Sequence, residues 1–317
     1  MSETIETLAT LALASGIVTI AHLRARALQR SHRFLPETEI LISPFSSYID
    51  KREKVIKGGS ANLHIVLDFD RTMTTYFGPN GGRGATCHGI VEARRSKTLK
   101  ERADALNAIF YPIEIDPKRS QESKLPWMRA WYALVNEILI ESGLKKSDII
   151  EDVKQANCSL RKGITEILEW AQEKSVPITI FSAGLGDVIV AVLDQHWRRP
   201  LPSNLKIISN MMTFDENDGC LNGFSDNLIH MFNKSMIFHK HDPAFNELSS
   251  RKNVLLLGDS TADVTMADGL DADTILRVGF LNDNIKNLAE TYMSLYDVVL
   301  TNDSSATLVV DLLTKIS

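Results

Sequence analysis

Cysteine is scarce in this 317-residue chain. Cys87, Cys158 and Cys220 lie far apart and are odd in number, which excludes a disulfide framework and a metal-binding Cys-x-x-Cys pair. Thiols used so sparingly fit a reducing, cytoplasmic compartment. A surplus of positive charge is also missing: the formal net charge is −5. Neither nucleic acid nor an anionic membrane surface is therefore an expected partner, and an anionic ligand has to be held by local positive groups. Nor is there an apolar run of membrane-spanning length. Leu8 to Ala21 falls short of the ~20 residues a span requires, and it follows Glu3 and Glu6 where a signal segment would carry basic residues. Ile5 to Gln29 is read as an appended helix, with a targeting segment as the alternative, and Ser43 to Ser47, around Pro44, as a linker. With 44% hydrophobic and 24% charged residues, the rest is an ordinary globular composition with material for a large core.

The stretch that organises the chain is Leu63 to Thr75. Leu63-His64-Ile65-Val66-Leu67 is a short apolar run rich in β-branched residues, as in the buried strands of parallel sheets. It ends in Asp68-Phe69-Asp70. Two carboxylates two residues apart leave an extended chain on the same side, at the strand end where open α/β sheets bind ligands. Held so close they repel, so the pair calls for a cation or a shared proton. Solvated turn acids are the plain alternative. An EF-hand loop fails on spacing: with Asp68 as position 1, position 6 is Met73 in place of Gly and position 12 is Pro79 in place of Glu.

Beyond a glycine-rich loop, 78–84, the pattern turns helical. Val91 to Phe110, Leu125 to Ser142, Ser147 to Ala156 and Ile164 to Lys174 carry apolar residues at three and four spacing, with Ser147 as a candidate N-cap. This predicts a helical insertion of roughly 80 residues after the first strand. Strands resume at Val176 to Phe181, followed by the turn Ser182-Ala183-Gly184-Leu185-Gly186 and a helix from Asp187 to Trp197. A strand, a small-residue turn and a helix N-terminus make an anion site, because free N–H groups and the positive end of the helix dipole face the turn. Leu205 to Ser209 reads as a strand, and Met211 to Phe214 with Leu221 to Phe224 as a hairpin. Lys234 follows; His239, His241 and Asp242 are better read as a surface helix start than as a metal site. Asn253 to Gly258 is another buried strand ending in acids, Asp259 and Asp263. After Ile275 to Gly279 come a short strand, Asp297 to Leu300, and a closing helix, Ser305 to Lys315.

Each site is ambiguous alone, but in order they form an inventory for phosphoryl transfer: an acid pair, a serine at a helix N-terminus, a lysine, and a second acid pair. A carboxylate nucleophile and an anionic phosphate repel unless a divalent cation lies between them, and Mg²⁺ suits oxygen ligands better than Zn²⁺ does. Ser182, the Ala183 N–H and Lys234 are suited to hold phosphate oxygens. Asp70, crowded enough to hold a proton, can protonate the leaving oxygen.

Asp68-Phe69-Asp70-Arg71-Thr72, Ser182, Lys234 and Gly258-Asp259-Ser260 with Asp263 resemble the four motifs of the haloacid-dehalogenase (HAD)-like phosphatases. Ile180 to Val188 and Met266-Ala267-Asp268-Gly269 resemble the cytosolic 5′-nucleotidase III (pyrimidine 5′-nucleotidase) family, over a span from about Tyr48 to the C-terminus. The resemblance implies an α/β fold, a Rossmann-like parallel sheet with a C1-type helical cap inserted after the first strand. It divides the chain into an extension (1–45), a catalytic core (46–80 and 160–317) and a cap (81–159). It further implies Asp68 as nucleophile, Asp70 as acid/base, and Mg²⁺ on Asp68, the Asp70 carbonyl and Asp259, with Asp263 steadying that set. Glu114 stands where the family's cap glutamate binds the base, and His88 and Tyr132 match the pair that flanks it. The implied enzyme is a cytoplasmic, monomeric 5′-nucleotidase acting on a nucleoside monophosphate, CMP or UMP.

Two departures bear on base preference. Val135 stands where the family often has a small polar residue, and the loop from Phe77 to Ala85 is unusually rich in glycine. Alternatives within the same chemistry are a phosphatase for 7-methylguanosine monophosphate or phosphoserine, or a phosphotransferase in which a nucleoside intercepts the aspartyl-phosphate. A non-catalytic nucleotide sensor would have no need of Asp70.

Overall fold

In the computed structural model, residues 40–42, 44–92, 96–116, 118–197, 200–225, 228–236 and 250–317 are described. The appended helix expected at 5–29 and the His239, His241 and Asp242 group lie outside them. The chain opens with strand β1 (Ile40–Ile42) and helix α1 (Phe45–Gly58), then enters β2 (Leu63–Leu67). Four helices follow: α2 (Cys87–Glu92), α3 (Lys97–Ile115), α4 (Gln121–Glu141) and α5 (Lys146–Gln155). The chain returns through α6 (Ile164–Glu173), β3 (Ile178–Leu185), α7 (Gly186–Trp197) and β4 (Leu205–Asn210), with the hairpin β5 (Met212–Phe214) and β6 (Leu221–Phe224). It ends with β7 (Asn253–Gly258), β8 (Thr274–Leu281), α8 (Ile285–Leu295), β9 (Val298–Thr301) and α9 (Thr307–Leu313).

Seven strands form one sheet in the order β1-β9-β8-β7-β2-β3-β4, parallel except for β1 against β9. Successive residues of β2 divide between its faces. Leu63, Ile65 and Leu67 join one apolar cluster, and Val66 joins another with Val254 and Leu256 of β7. Both faces are covered, so β2, β3 and β7 are buried along their whole length. β2 lies between β3 and β7, with Leu67 paired to Ile180 on one side and to Leu257 on the other. The chain moves from β2 to one side for β3 and β4, then crosses to the other for β7. That reversal is the topological switch point where α/β sheets bind ligands.

Four expectations change. The strand at Leu63 is the second in the chain, not the first: Ile40–Ile42, inside the stretch read as an extension, forms the antiparallel edge against β9. Three residues carry too short a pattern to show alternation. The turn expected at 182–186 is largely strand, because β3 runs to Leu185 with a register shift after Phe181; Ser, Ala and Gly are small enough to stay extended there. The single helix expected from Val91 to Phe110 is two, and Ser96 caps the second by accepting from the Leu99 N–H at 3.4 Å. Ser147 is not the cap of α5: that helix begins at Lys146, and the Asp148 carboxylate accepts from the Lys145 N–H at 2.9 Å. Helices α1 and α8 were not anticipated. No helix among the described residues is long and apolar enough to cross a membrane.

Candidate active site

Because β2 and β7 are adjacent and parallel, their carboxyl ends deliver Asp68 and Asp259 side by side, and Ser182 lies within the neighbouring β3. Lys234 arrives from a separate loop and joins them. Its Nζ donates to Asp68 Oδ1 and to Asp263 Oδ1, both at 2.6 Å. The other Asp263 oxygen accepts from the backbone N–H groups of Asp259 and Ser260, at 3.1 and 2.9 Å. Asp263 is therefore fully engaged, whereas Asp68 keeps one buried oxygen, Oδ2, without a hydrogen-bond partner. Carboxylate oxygens of Asp68, Asp259 and Asp263 lie within 4.8 Å of one another. Gly258 makes this approach possible: a Cβ there would stand 2.4 Å from that of Asp263.

One ammonium cannot offset three carboxylates, with Asp68 and Asp263 buried and Asp259 half-buried. Burial pushes Asp68 up to about 7, with Lys234 opposing and the neighbouring acids adding to the rise. Burial also raises Asp259 well above the usual carboxylate range, reinforced by Asp68 and Asp263. For Lys234 burial works against the charge, but the two carboxylates outweigh it and hold the group protonated. The surplus negative charge and the spare Asp68 oxygen describe a site suited to a hard divalent cation.

Asp70 stands just beyond, on the turn at Phe69–Met73. Its Oδ1 accepts from the Cys87 N–H at 2.9 Å, and burial raises its pKa, with the Cys87 N–H acting the other way. The turn is stapled by Arg161, which sequence reasoning missed. Its guanidinium, 1% exposed, donates to the carbonyls of Arg71 (2.5 Å), Thr72 (2.8 Å), Thr74 (3.2 Å) and Ser304 (2.5 Å). It also pairs with Asp303 at 3.0 Å. Arg71 has a positive φ of 65°, a strained conformation for a non-glycine residue, and Arg161 with Asn282 holds its carbonyl.

Ser182 is buried and accepts from the Gly184 N–H at 3.0 Å. Asn210, also missed, clips this strand end to the Lys234 loop. Its amide donates to the Ala183 and Ile229 carbonyls at 2.9 Å, and its oxygen accepts from the Ile229 N–H at 2.8 Å. No local signal in the sequence marks Arg161 or Asn210, since neither belongs to a motif.

The base-pocket candidates come from three helices. Glu114 (α3) is half-buried and burial pushes it up to about 7, against Lys124 and Arg71. Lys124 donates to the Glu114 carbonyl at 2.7 Å. His88 (α2) and Tyr132 (α4) meet edge to face, with ring centroids 6.1 Å apart and planes at 88°. In this arrangement they are not two parallel plates. Burial raises the Tyr132 phenol, and the negative charges of Glu114, Asp70 and Asp68 add to the effect. The core's His230 meets the Tyr132 ring from another side, at 6.4 Å. Val135 is buried in the larger apolar cluster. The loop from Phe77 to Ala85 folds back on itself, through Gly78 N–H to Gly82 carbonyl at 2.9 Å.

The sequence profile of the pyrimidine 5′-nucleotidase family (UMPH-1) matches residues 71–317, beginning one residue after Asp70. The 7-methylguanosine phosphate-specific 5′-nucleotidase A of Xenopus laevis is 38% identical over 259 residues, 81% of this chain and 88% of that protein. The crystal structure of cytosolic 5′-nucleotidase IIIB bound to cytidine superposes with a TM-score of 0.79 at 29% identity, covering 87% of this chain and 93% of that one. A HAD family hydrolase from Salmonella enterica serovar Typhi shares the fold, with a TM-score of 0.52 at 15% identity over 84% of this chain and 80% of that one.

Proposed function

We propose, from the premise that this chain belongs to the pyrimidine 5′-nucleotidase (UMPH-1) family and is a HAD-like 5′-nucleotidase, that it hydrolyses CMP and UMP through an aspartyl-phosphate on Asp68. The observation that carries this reading is Lys234, which comes from a separate loop and spans Asp68, after β2, and Asp263, beyond β7. Residues 46–80 and 160–317 act as the catalytic core, and 81–159 as the cap. Mg²⁺ held by Asp68, Asp259 and the Asp70 carbonyl would neutralise charge between carboxylate and phosphate.

The chain's own groups divide the remaining work. Asp68 attacks phosphorus, the bond to O5′ breaks, and Asp70 delivers its proton to the departing oxygen. Asp70 then accepts a proton from the water that cleaves the acyl phosphate, releasing inorganic phosphate and regenerating Asp68. Ser182, the Ala183 N–H and Lys234 hold the phosphoryl oxygens, and Asp263 keeps Lys234 and the Asp259 segment in place. Glu114 reads the base edge between His88 and Tyr132. Three free thiols accord with a cytoplasmic location, and the enzyme acts as a monomer.

Phosphate release from a panel of nucleoside monophosphates tests this. Activity is expected to vanish on chelation and return with Mg²⁺; full activity in EDTA would overturn the metal assignment. The name of the Xenopus relative favours a second reading, 7-methylguanosine monophosphate as substrate. A kcat/KM for that compound above those for CMP and UMP would select it.

A further inference from the structure

A buried cation joins the inserted helices to the core, and the mechanism above gives it no work. Lys124 lies in the first turn of α4, the positive end of that helix's dipole and a poor place for an ammonium. It is nevertheless only 8% exposed. Among the described residues it makes no ion pair. Its Nζ donates to the Glu114 carbonyl at 2.7 Å, and the charge stands over the Phe232 ring, 5.4 Å from the centroid. Both contacts suit a cation. Helix α3 ends at Ile115, so the Glu114 carbonyl is among its last four, which have no partner within the helix and carry the negative end of its dipole. An ammonium within about 6 Å of an aromatic face is attracted by the ring's quadrupole.

Phe232 belongs to the loop that carries Lys234, and that loop is itself held. The Asn233 side chain donates to the Leu228 carbonyl at 2.8 Å and accepts from the His230 N–H at 2.7 Å, while the Phe232 N–H donates to His230 Nδ1 at 3.2 Å. Gln121, at the start of α4, donates to the Phe232 carbonyl at 3.4 Å. One side chain, Lys124, thus touches both the turn bearing Glu114 and the loop bearing Lys234.

We propose that Lys124 is a positioning residue that sets the separation between Glu114, which reads the base, and Lys234, which holds the phosphate. The inference rests on those two roles as given above. Base and phosphate are opposite ends of one substrate, so both are bound well only when their readers stand at the right spacing. Burying an ammonium without a counter-ion is costly, and an apolar side chain would pack there at less cost. What the ammonium adds is a directed bond to the Glu114 backbone and a contact with the core.

Kinetics of the full-length protein with Mg²⁺ test this, with p-nitrophenyl phosphate as a substrate that has a phosphate but no nucleobase. Lys124→Met keeps the unbranched stem and removes the charge. It is expected to lower kcat/KM on CMP about tenfold, mainly through KM, and on p-nitrophenyl phosphate by no more than about twofold, less than the ~10²-fold that a 1 Å misplacement can cost. Lys124→Arg, which keeps a donor and a cation for the ring, should recover most of the loss. Both substrates are measured on one preparation, so any misfolded fraction cancels in their ratio. Equal losses on the two substrates in Lys124→Met, or no loss on CMP, would overturn the proposal. In a Glu114→Ala background no base reader is left to place, so Lys124→Met should cost CMP at most about twofold more; a second full loss there would mean that the ammonium acts elsewhere and would also overturn it. Phe232→Leu should cost CMP about threefold, on the order of one cation–π contact, and little more when added to Lys124→Met; fully additive losses would break the link to the core. Glu114→Ala alone separates this from the parent reading. If that variant loses the two activities equally, the base-reading role of Glu114 falls and the inference with it; if it discriminates between the substrates and Lys124→Met does not, only Lys124 is wrongly assigned.

Discussion

The rim of the sheet and the pocket under the inserted helices are built by opposite means. At the rim Lys234, Asp263 and the turn after Asp70 are each held by several partners, and Asp68 keeps one spare oxygen. Lys234 is shared between two carboxylates, Asp263 takes three donors, and the turn after Asp70 is held at several carbonyls by one arginine. In the pocket, Glu114, His88 and Tyr132 sit on three separate helices, half-buried and joined by an edge-to-face ring contact. Sheet register dictates the first arrangement, whereas rotations of single side chains can alter the second. On the proposed reading, the difference teaches that the chemistry is rigidly specified while the choice of base falls to groups that can change at little cost to the fold. It also explains how a relative named for 7-methylguanosine phosphate and a structure holding cytidine can both resemble this chain.

Substitutions can break this contrast, beginning at the rim. Asp68→Asn should abolish turnover, by at least ~10³-fold as for removal of a catalytic nucleophile, with the unfolding transition retained; substantial phosphate release by that variant would require another nucleophile. Arg161→Ala leaves Asp303 with only the Tyr76 and Phe77 N–H groups and several buried carbonyls unsatisfied. Denaturant unfolding should show a loss of about 3–5 kcal/mol, and Arg161→Lys should recover little, because an ammonium cannot reproduce the planar fork. In the pocket the effects shrink. Glu114→Gln should raise KM for nucleotides about tenfold and leave hydrolysis of p-nitrophenyl phosphate and the unfolding midpoint unchanged; a matching loss on the base-free substrate would remove Glu114 from base reading.

The smallest effect sharpens the comparison most. Glu114 has a raised pKa of about 7, so its protonated form dominates below that value and its ionised form above it. Cytosine presents an amine donor beside a ring-nitrogen acceptor, which a protonated carboxyl satisfies with its carbonyl and its hydroxyl. The guanine edge presents two donors, which the ionised carboxylate satisfies. The ratio of kcat/KM for CMP to that for GMP, whose N1–H stays protonated across this range, should therefore fall as pH rises through about 7. A ratio cancels the titration of catalytic groups common to both substrates. In Glu114→Gln the ratio should be flat, and a slope that persisted there would place the base-reading group elsewhere.

Much of the rim was legible in the chain because its elements are local. Leu63 to Asp70 announces a buried strand and its acid pair within eight residues, and Asn253 to Asp263 does the same. Edge strand β1 was not legible: three residues show no alternation, and its partner, β9, lies some 250 positions away. Helix α8 went unread between two strands of stronger signal. For the pocket, the family resemblance named Glu114, His88 and Tyr132, but their spacing alone carries no geometry, and the perpendicular rings could not be inferred from it.

Taken alone, then, the amino-acid order determined most of the strands, which of them end in acids, and what chemistry that inventory would serve, because hydrophobic period and motif spacing act over a few residues. The tertiary structure decided which groups meet. Lys234 reaches Asp68 across 166 residues, Arg161 finds the turn after Asp70, and Cys87 comes to face that acid. Such contacts depend on the order in which parallel strands pair and on where an insertion re-enters the sheet. Those long-range choices are set by the packing of the whole core, which no single stretch of sequence contains.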